Sequence, residues 1–158
     1  MSERNCEFFR KGDIIQTEPE KGYYGIAIVL DDGTIIEYEP GNWSSPLCHI
    51  AITPLIFDHM VSFDELDYSS LKPLEFMRCF SLKGKPEFYK RELMIHIFAT
   101  RNTLHLPILG TIDPSVVYQG ELFWRPQGDS FHWCGEIGGH FGREAYISWR
   151  RSQQGFVP

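Results

Sequence analysis

The residues best suited to chemistry stand close together in the last third of the chain. His132, Cys134 and His140 offer one thiol and two imidazoles, and Glu136 adds a carboxylate. Imidazole and thiolate are zinc ligands, and His-x-Cys places two donors close together. The set lacks the paired spacings of structural zinc sites, and the chain has no His-Glu-x-x-His sequence. A small hydrolase or metal-binding enzyme is therefore kept as an alternative, beside a loop whose side chains pack locally.

A cysteine nucleophile would need a histidine beside its sulfur and a carboxylate that orients the histidine. Cys48 and His49 are adjacent, but neighbouring side chains of a strand point to opposite faces. Cys134 and His132 would share a face only if their segment were extended. No Gly-x-Ser-x-Gly sequence occurs either. The residues therefore supply no complete catalytic motif, and we predict no catalytic residues, no cofactor and no bound metal.

Carboxylates form the other constellation. Glu37 and Glu39 are two residues apart, so they share one face of a strand. Trp43 follows in a loop rich in Pro, Gly and Ser, and Trp is enriched at protein interfaces. The predicted partner-binding residues are Glu37, Glu39, Trp43, Asp58, Asp64, Glu65 and Asp67. The alternative is a solvated acidic face, with Trp43 folded back as a lid on the core.

Composition narrows the class of partner. The chain has 158 residues, 42% of them hydrophobic, and a formal net charge of −6. This length predicts a single domain over residues 1–158 with a real core, and residues 125–142, rich in Gly and aromatic side chains, have the composition of loops. An acidic surface repels nucleic-acid phosphates and suits a cationic protein. We predict a protein partner and no nucleic acid.

Cysteine usage and hydropathy indicate the compartment. The four cysteines are widely spaced and form no C-x-x-C pair, and the first residues are polar rather than those of a signal peptide. No apolar run approaches the roughly 20 residues that a membrane-spanning helix needs. We therefore predict a cytoplasmic protein with free thiols and no membrane association, in an oligomeric state that the sequence leaves open.

Residues 12–40 predict the architecture. Three β-branched runs, Asp13–Thr17, Tyr23–Leu30 and Thr34–Tyr38, are separated by turn-forming residues. The Asp-Gly pair at residues 32–33 is a strong hairpin signal, because Gly supplies the positive φ of tight hairpin turns. We predict an antiparallel meander that extends into a single twisted sheet with few short helices, which is a β-rich α+β fold.

Later segments are predicted to extend this sheet. Cys48–Asp58 reads as a strand ended or interrupted by Pro54, which belongs at an edge or a bulge because proline lacks the N–H of a central ladder. Ser62 and Glu65 fit a capping box at a single helical turn. Glu92–Thr100 is apolar on both faces, which predicts a central strand.

Part of the chain resembles a known family. Residues 10–15, Arg-Lys-Gly-Asp-Ile-Ile, and residues 22–30, Gly-Tyr-Tyr-Gly-Ile-Ala-Ile-Val-Leu, are similar to the opening of the immunity protein 26 family of bacterial polymorphic-toxin systems. A looser similarity continues through Pro54–Phe57 and Leu106–Gly110. The specific part of the resemblance lies in residues 10–30, and residues 120–158 do not share it.

The resemblance implies a small cytoplasmic protein that is not an enzyme and that binds the toxic domain of a cognate toxin and blocks it. No catalytic residues carry over, and toxin-binding residues vary between members of the family, so none is transferred. Gly12, Gly22 and Gly25 of the motif are interpreted as backbone devices for turns and bulges. We expect an immunity protein, with a basic nuclease as a candidate toxin. A generic binding module that uses its sheet edge is a further alternative.

Overall fold

A computed structural model describes residues 7–80, 83–84, 88–122 and 143–153 of the chain. The strands are β1 Asp13–Glu20, β2 Tyr23–Thr34, β3 Glu37–Glu39, β4 Asn42–Trp43, β5 Leu47–Phe57, β6 Glu75–Phe80, β7 Phe88–Leu93, β8 Ile95–Ala99 and β9 Ile108–Thr111. The helix is α1 Arg143–Gln153, and short 3-10 turns cover Phe63–Glu65, Tyr68–Ser70 and Pro114–Val116. The predicted β-rich α+β fold is confirmed.

One antiparallel sheet of five strands, in the order β8-β5-β2-β1-β9, forms the centre of the described fold. Two separate hairpins, β3–β4 and β6–β7, accompany it. Backbone bonds tie the second hairpin to the sheet: Leu74 N–H donates to the Ile52 carbonyl over 2.7 Å, and Met94 N–H donates to the Leu74 carbonyl over 2.8 Å. Among the described residues, no helix is long and apolar enough to cross a membrane.

The sheet is covered on both faces. One face packs Ile15 and Ile50 in a cluster that contains Ala145 of α1. The helix is also held by ring contacts, with the rings of Tyr146 and Trp149 centred 5.3 Å and 5.4 Å from that of Tyr23. On the opposite face, the central strands pack under residues from the β5–β6 and β9–α1 connections, among them Val61, Leu66, Leu71 and Val117. Burial on both faces explains why β2 is an unbroken apolar run rather than an alternating one.

The predicted meander is right in its first two strands and wrong in its third. β1 pairs antiparallel with β2, as expected. However, β2 continues through the Asp-Gly pair to Thr34 and pairs with β5, while β3 pairs with β4. Gly33 does not adopt the positive φ of a tight hairpin turn. The preference of the Asp-Gly pair for a hairpin turn is overridden because pairing of β2 with β5 buries the whole apolar length of β2. A short hairpin at residues 32–33 would not bury it.

Two further strand predictions have different outcomes. β5 runs through Pro54 to Phe57, so the expected end of the strand at Pro54 is wrong, but Pro54 is exposed beside a register shift between β2 and β5, which confirms the expected bulge. The central position predicted for Glu92–Thr100 is wrong. The segment divides at Met94, and β8 lies at the end of the strand order among the described residues. It is apolar on both faces because each face of the sheet is covered, even at this edge.

Two glycines of the family-like motif have the backbone roles expected of them. Gly12 has a φ of +92°, and a Cβ there would collide with the Ile112 carbonyl oxygen. Gly22 has a φ of +84° in the turn between β1 and β2. Gly25 lies within β2, where an added Cβ would stand 2.6 Å from the Thr17 hydroxyl oxygen. Gly12 and Gly22 therefore disfavour a side chain because of their positive φ, and Gly12 and Gly25 because of the space an added Cβ would need.

Candidate protein-binding surface

Residues 35–46 leave the sheet between β2 and β5 as a short arm built on the β3–β4 hairpin. Its chain reverses at Gly41, which has a φ of +82°. Ser44 N–H donates to the Ile36 carbonyl over 2.7 Å, and Ile36 N–H donates to the Ser44 hydroxyl oxygen over 2.9 Å. In the described sheets, β3 and β4 pair only with each other. The arm is thus a hydrogen-bonded hairpin that follows the end of the β2–β5 ladder.

The arm exposes apolar and acidic side chains together. Trp43 is 58% exposed and Ile35 is 54% exposed. Trp43 is the register partner of Glu37, which is exposed as well, and the exposed Glu39 accepts a hydrogen bond from the Asn42 amide over 3.1 Å. The interpretation of Trp43 as a lid on the core is therefore wrong. An exposed Trp opposite Glu37 on a hairpin that also carries Glu39 has the make-up of an interface anchor beside acidic residues.

A side-chain network lies at the root of the arm. The imidazole Nδ1 of His49 is 2.9 Å from Oδ1 of Asp31, and the same oxygen accepts the His49 backbone N–H over 2.9 Å. The Thr34 hydroxyl donates to Oδ2 of Asp31 over 2.7 Å and lies 3.2 Å from Nδ1 of His49. His49 is buried, whereas Asp31 is partly exposed. This network could not be read from the sequence, because only the β2–β5 register brings its members together.

The network favours the ionised form of the Asp31 carboxyl. Burial by itself raises the pKa of the Asp31 carboxyl, but hydrogen bonds from His49 and Thr34, and the charge of His49, together outweigh burial and leave the pKa below its ordinary value. The ionised carboxylate is thus the form that the folded chain stabilises.

Acid is expected to remove the stability that Asp31 contributes. Because its folded pKa is lowered, this contribution is complete above the ordinary pKa of 3.8 and is lost as the pH falls through the folded value. We expect the native chain to have a higher free energy of unfolding than Asp31→Asn, and we expect this difference to be larger at about pH 5 than at about pH 3. Urea denaturation of both proteins at the two pH values measures this, and a gap that widened toward acid would contradict it.

The adjacent Cys48 and His49 do not form a catalytic pair. Cys48 belongs to the core cluster on the α1 face, and its thiol is 3.8 Å from the Ala99 carbonyl oxygen. Burial, together with nearby carboxylates including Asp31, raises the pKa of the Cys48 thiol to about 12, so the sulfur stays protonated and is a poor nucleophile. His49 turns instead to Asp31, in keeping with the expectation that the two side chains diverge.

The remaining predicted binding residues form a second surface, the acidic turn, at residues 58–67. His59 bridges two carboxylates, with Nδ1 3.0 Å from Asp58 and Nε2 2.7 Å from Glu65. These hydrogen bonds, first that of Asp58 and then that of Glu65, raise the pKa of His59. Glu65 also accepts the Ser62 N–H over 2.7 Å, which confirms its part in the predicted capping box.

Several carboxylates of the acidic turn thus have local roles. The hydrogen bond from the Ser62 N–H, and then that from His59, lowers the pKa of Glu65. Hydrogen bonds from the hydroxyl and the N–H of Ser69 lower the pKa of Asp67, which caps the turn at Tyr68–Ser70. Asp58 shares His59 with Glu65. Part of the charge in this turn therefore serves to hold the turn itself, which makes the arm the stronger candidate for contact with a partner.

The two surfaces join opposite ends of one strand. The arm enters β5 at Leu47, and Asp58 comes directly after its last residue, Phe57. The ten residue-to-residue steps of this strand would span roughly 33 Å at about 3.3 Å per step if it were fully extended. A standard interface of about 800 Å² per partner is roughly 30 Å across. The structure therefore brings Glu37, Glu39 and Trp43 together and separates them from Asp58, and it adds to the arm Ile35, which was not predicted.

The alternative metal or hydrolase site falls on residues that the structure does not describe. His132, Cys134, Glu136 and His140 all lie within residues 123–142, as does the whole Gly-rich and aromatic-rich segment at 125–142. In the ranges that are described, no group of three or more His, Cys, Asp or Glu side chains could hold a metal ion.

No family model, no curated protein and no solved structure matches this chain. A functional proposal therefore rests on the surface and on the resemblance at residues 10–30. Within the described structure, the arm combines an exposed aromatic side chain with exposed carboxylates, as a protein-binding site for a cationic partner would.

Proposed function

We propose that this chain is a cytoplasmic immunity protein that binds a cognate bacterial toxin domain through the arm and thereby neutralises it. The observation that carries the proposal is Trp43, which is 58% exposed and faces Glu37 across the β3–β4 hairpin. A large exposed aromatic side chain beside carboxylates favours burial against a cationic protein surface. The resemblance at residues 10–30 supplies the class of that partner.

Charge supports a basic partner. The chain carries a formal net charge of −6, and Glu37 and Glu39 add acidity next to the exposed Trp43. A toxin that acts on nucleic acid must grip phosphates and therefore tends to be basic. Attraction between the two surfaces would speed their encounter, and burial of the indole would slow their separation. A basic nuclease domain is accordingly the toxin class that we propose.

Co-expression with a bacterial toxin domain whose gene adjoins that of this chain tests the proposal, and the absence of any such gene would count against it. We expect the two proteins to co-purify in a fixed ratio and this chain to restore growth to cells that produce the toxin. A complex without rescue, or rescue without a complex, would contradict neutralisation by binding. Failure of both, with a toxin domain shown to be folded and toxic by itself, would overturn the proposed function.

Charge reversal on the arm is expected to slow association. The variant Glu37→Lys/Glu39→Lys should lower the association rate with the toxin domain by about tenfold or more at low salt, since complementary charge mainly sets the on-rate. Stopped-flow mixing or surface plasmon resonance at two salt concentrations measures the effect, which should shrink as salt rises.

The matched control reverses two carboxylates of the acidic turn. Asp58→Lys/Asp64→Lys changes net charge by the same amount and leaves Glu65 and the Asp67 cap in place. We expect a smaller effect from this pair. Equal effects would mean that only net charge matters, and a larger effect of the control would move the interface to the acidic turn.

A further inference from the structure

The last part of β2 gains two residues over β5 just before the arm begins. Val29 pairs with Ile50 and Asp31 with His49, so two steps on β2 match one on β5. Asp31 and Thr34 then pair with His49 and Leu47, so three steps match two. Each surplus residue is a bulge, and a bulge bends its strand, increases the twist and redirects the chain beyond it.

The network of Asp31, Thr34 and His49 closes over this doubly bulged stretch. The carboxylate of Asp31 receives hydrogen bonds over 2.7 Å from the Thr34 hydroxyl and over 2.9 Å from the His49 backbone, and it lies 2.9 Å from the His49 ring. Both strands that carry the arm are thereby joined at its root. The ring of His49 is 1% exposed, so packing also fixes the strand on which the arm returns.

The arm depends on its root for its direction. In the described sheets, β3 and β4 pair only with each other, and a two-stranded hairpin is marginal in water without further support. A binding loop that is held in its bound conformation loses less conformational entropy on association. Loosening the root would therefore leave the side chains of Glu37 and Trp43 unchanged but let the arm that carries them adopt many orientations.

We propose that Asp31, Thr34 and His49 are positioning residues that hold the arm, and with it Trp43, in one pose. Their effect on toxin binding rests on the proposed function, whereas their effect on the arm does not. Thr34 is the most informative member because it is the last residue of β2 and its hydroxyl reaches both other side chains.

Hydrogen exchange of the free protein tests the positioning directly. Thr34→Val keeps the shape of the side chain and removes its hydroxyl, while Thr34→Ser keeps the hydroxyl. We expect Thr34→Val to lower protection of the Ile36 and Ser44 amides by roughly tenfold, as for the loss of one or two hydrogen bonds, with protection near native values in Thr34→Ser. Both amides report on bonds inside the arm.

Thr53→Val is the matched control. Its hydroxyl donates to the Ile26 carbonyl over 2.7 Å, so the variant loses a threonine hydrogen bond in the same β2–β5 pair, away from the arm. We expect it to destabilise the sheet without a selective effect on Ile36 and Ser44. Unchanged protection of these amides in Thr34→Val, or an equal loss in Thr53→Val, would overturn the positioning role.

Affinity for the co-purified toxin domain separates the two proposals. With both correct, Thr34→Val should weaken binding by roughly tenfold and Thr34→Ser should restore it. Lost amide protection with unchanged affinity would uphold the positioning of the arm and remove the arm from the proposed toxin interface.

Discussion

Replacement of either Ile14 or Ile15 by alanine should lower the free energy of unfolding by about 2–5 kcal/mol, the range for truncating a fully buried isoleucine. The two residues are consecutive in β1, and both are 0% exposed. Ile14 belongs to the cluster under the β5–β6 and β9–α1 connections, and Ile15 to the cluster that includes Ala145 of α1. A sheet covered on only one face would show a large loss for one residue and a small loss for its neighbour.

Chemical denaturation of the two variants measures both losses, with Ile35→Ala as the matched control. Ile35 is 54% exposed at the start of the arm, so its truncation should change stability by no more than about 0.5 kcal/mol. A loss within that margin for Ile15→Ala would mean that α1 does not cover its face. The same result for Ile14→Ala would argue against packing by Val61, Leu66 and Leu71.

Trp43→Ala should weaken binding of the toxin domain by roughly 30-fold to 1,000-fold, because a central Trp at an interface contributes about 2–4 kcal/mol. The physical reason is that a side chain 58% exposed in the free protein has a large apolar area left to bury. The loss should appear mainly in the dissociation rate, since the indole carries no charge to steer the encounter. The stability of the free protein should change little.

Met60→Ala is the control for this prediction. Met60 is 66% exposed, more than Trp43, and lies in the acidic turn rather than on the arm. Titration calorimetry with the toxin domain compares the two variants at unchanged stability. Native affinity of Trp43→Ala would exclude the arm as the interface, and a large loss in Met60→Ala would assign contact to the acidic turn.

The candidate site was only partly predictable. The type of residue was sufficient to single out Glu37, Glu39 and Trp43, since exposed carboxylates and tryptophan have recognisable uses at interfaces. Their separation from Asp58 was not predictable, because residue types alone do not show that the arm and Asp58 join opposite ends of β5. The positioning network was beyond prediction, because Asp31 and His49 are 18 residues apart and meet only through strand register.

The sequence by itself determined the features that are set within a few residues. Pairing of β1 with β2 results from two β-branched runs joined through Gly22, which has a positive φ. The turn at Ser62 results from a reciprocal cap three residues long, and the bulge at Pro54 results from a missing N–H. In each case the competing conformations are few and the local preference is large.

Only the tertiary structure decided which strands became neighbours. The Asp-Gly pair at residues 32–33 offers a hairpin worth a few local contacts, whereas pairing of β2 with β5 buries Ile26, Ile28 and Val29 completely or nearly so. Burial of apolar area over a long strand outweighs a turn preference. Because β2 pairs with β5, β3 lies outside the five-stranded sheet and pairs with β4 instead. This pairing forms the exposed arm on which the proposed function rests.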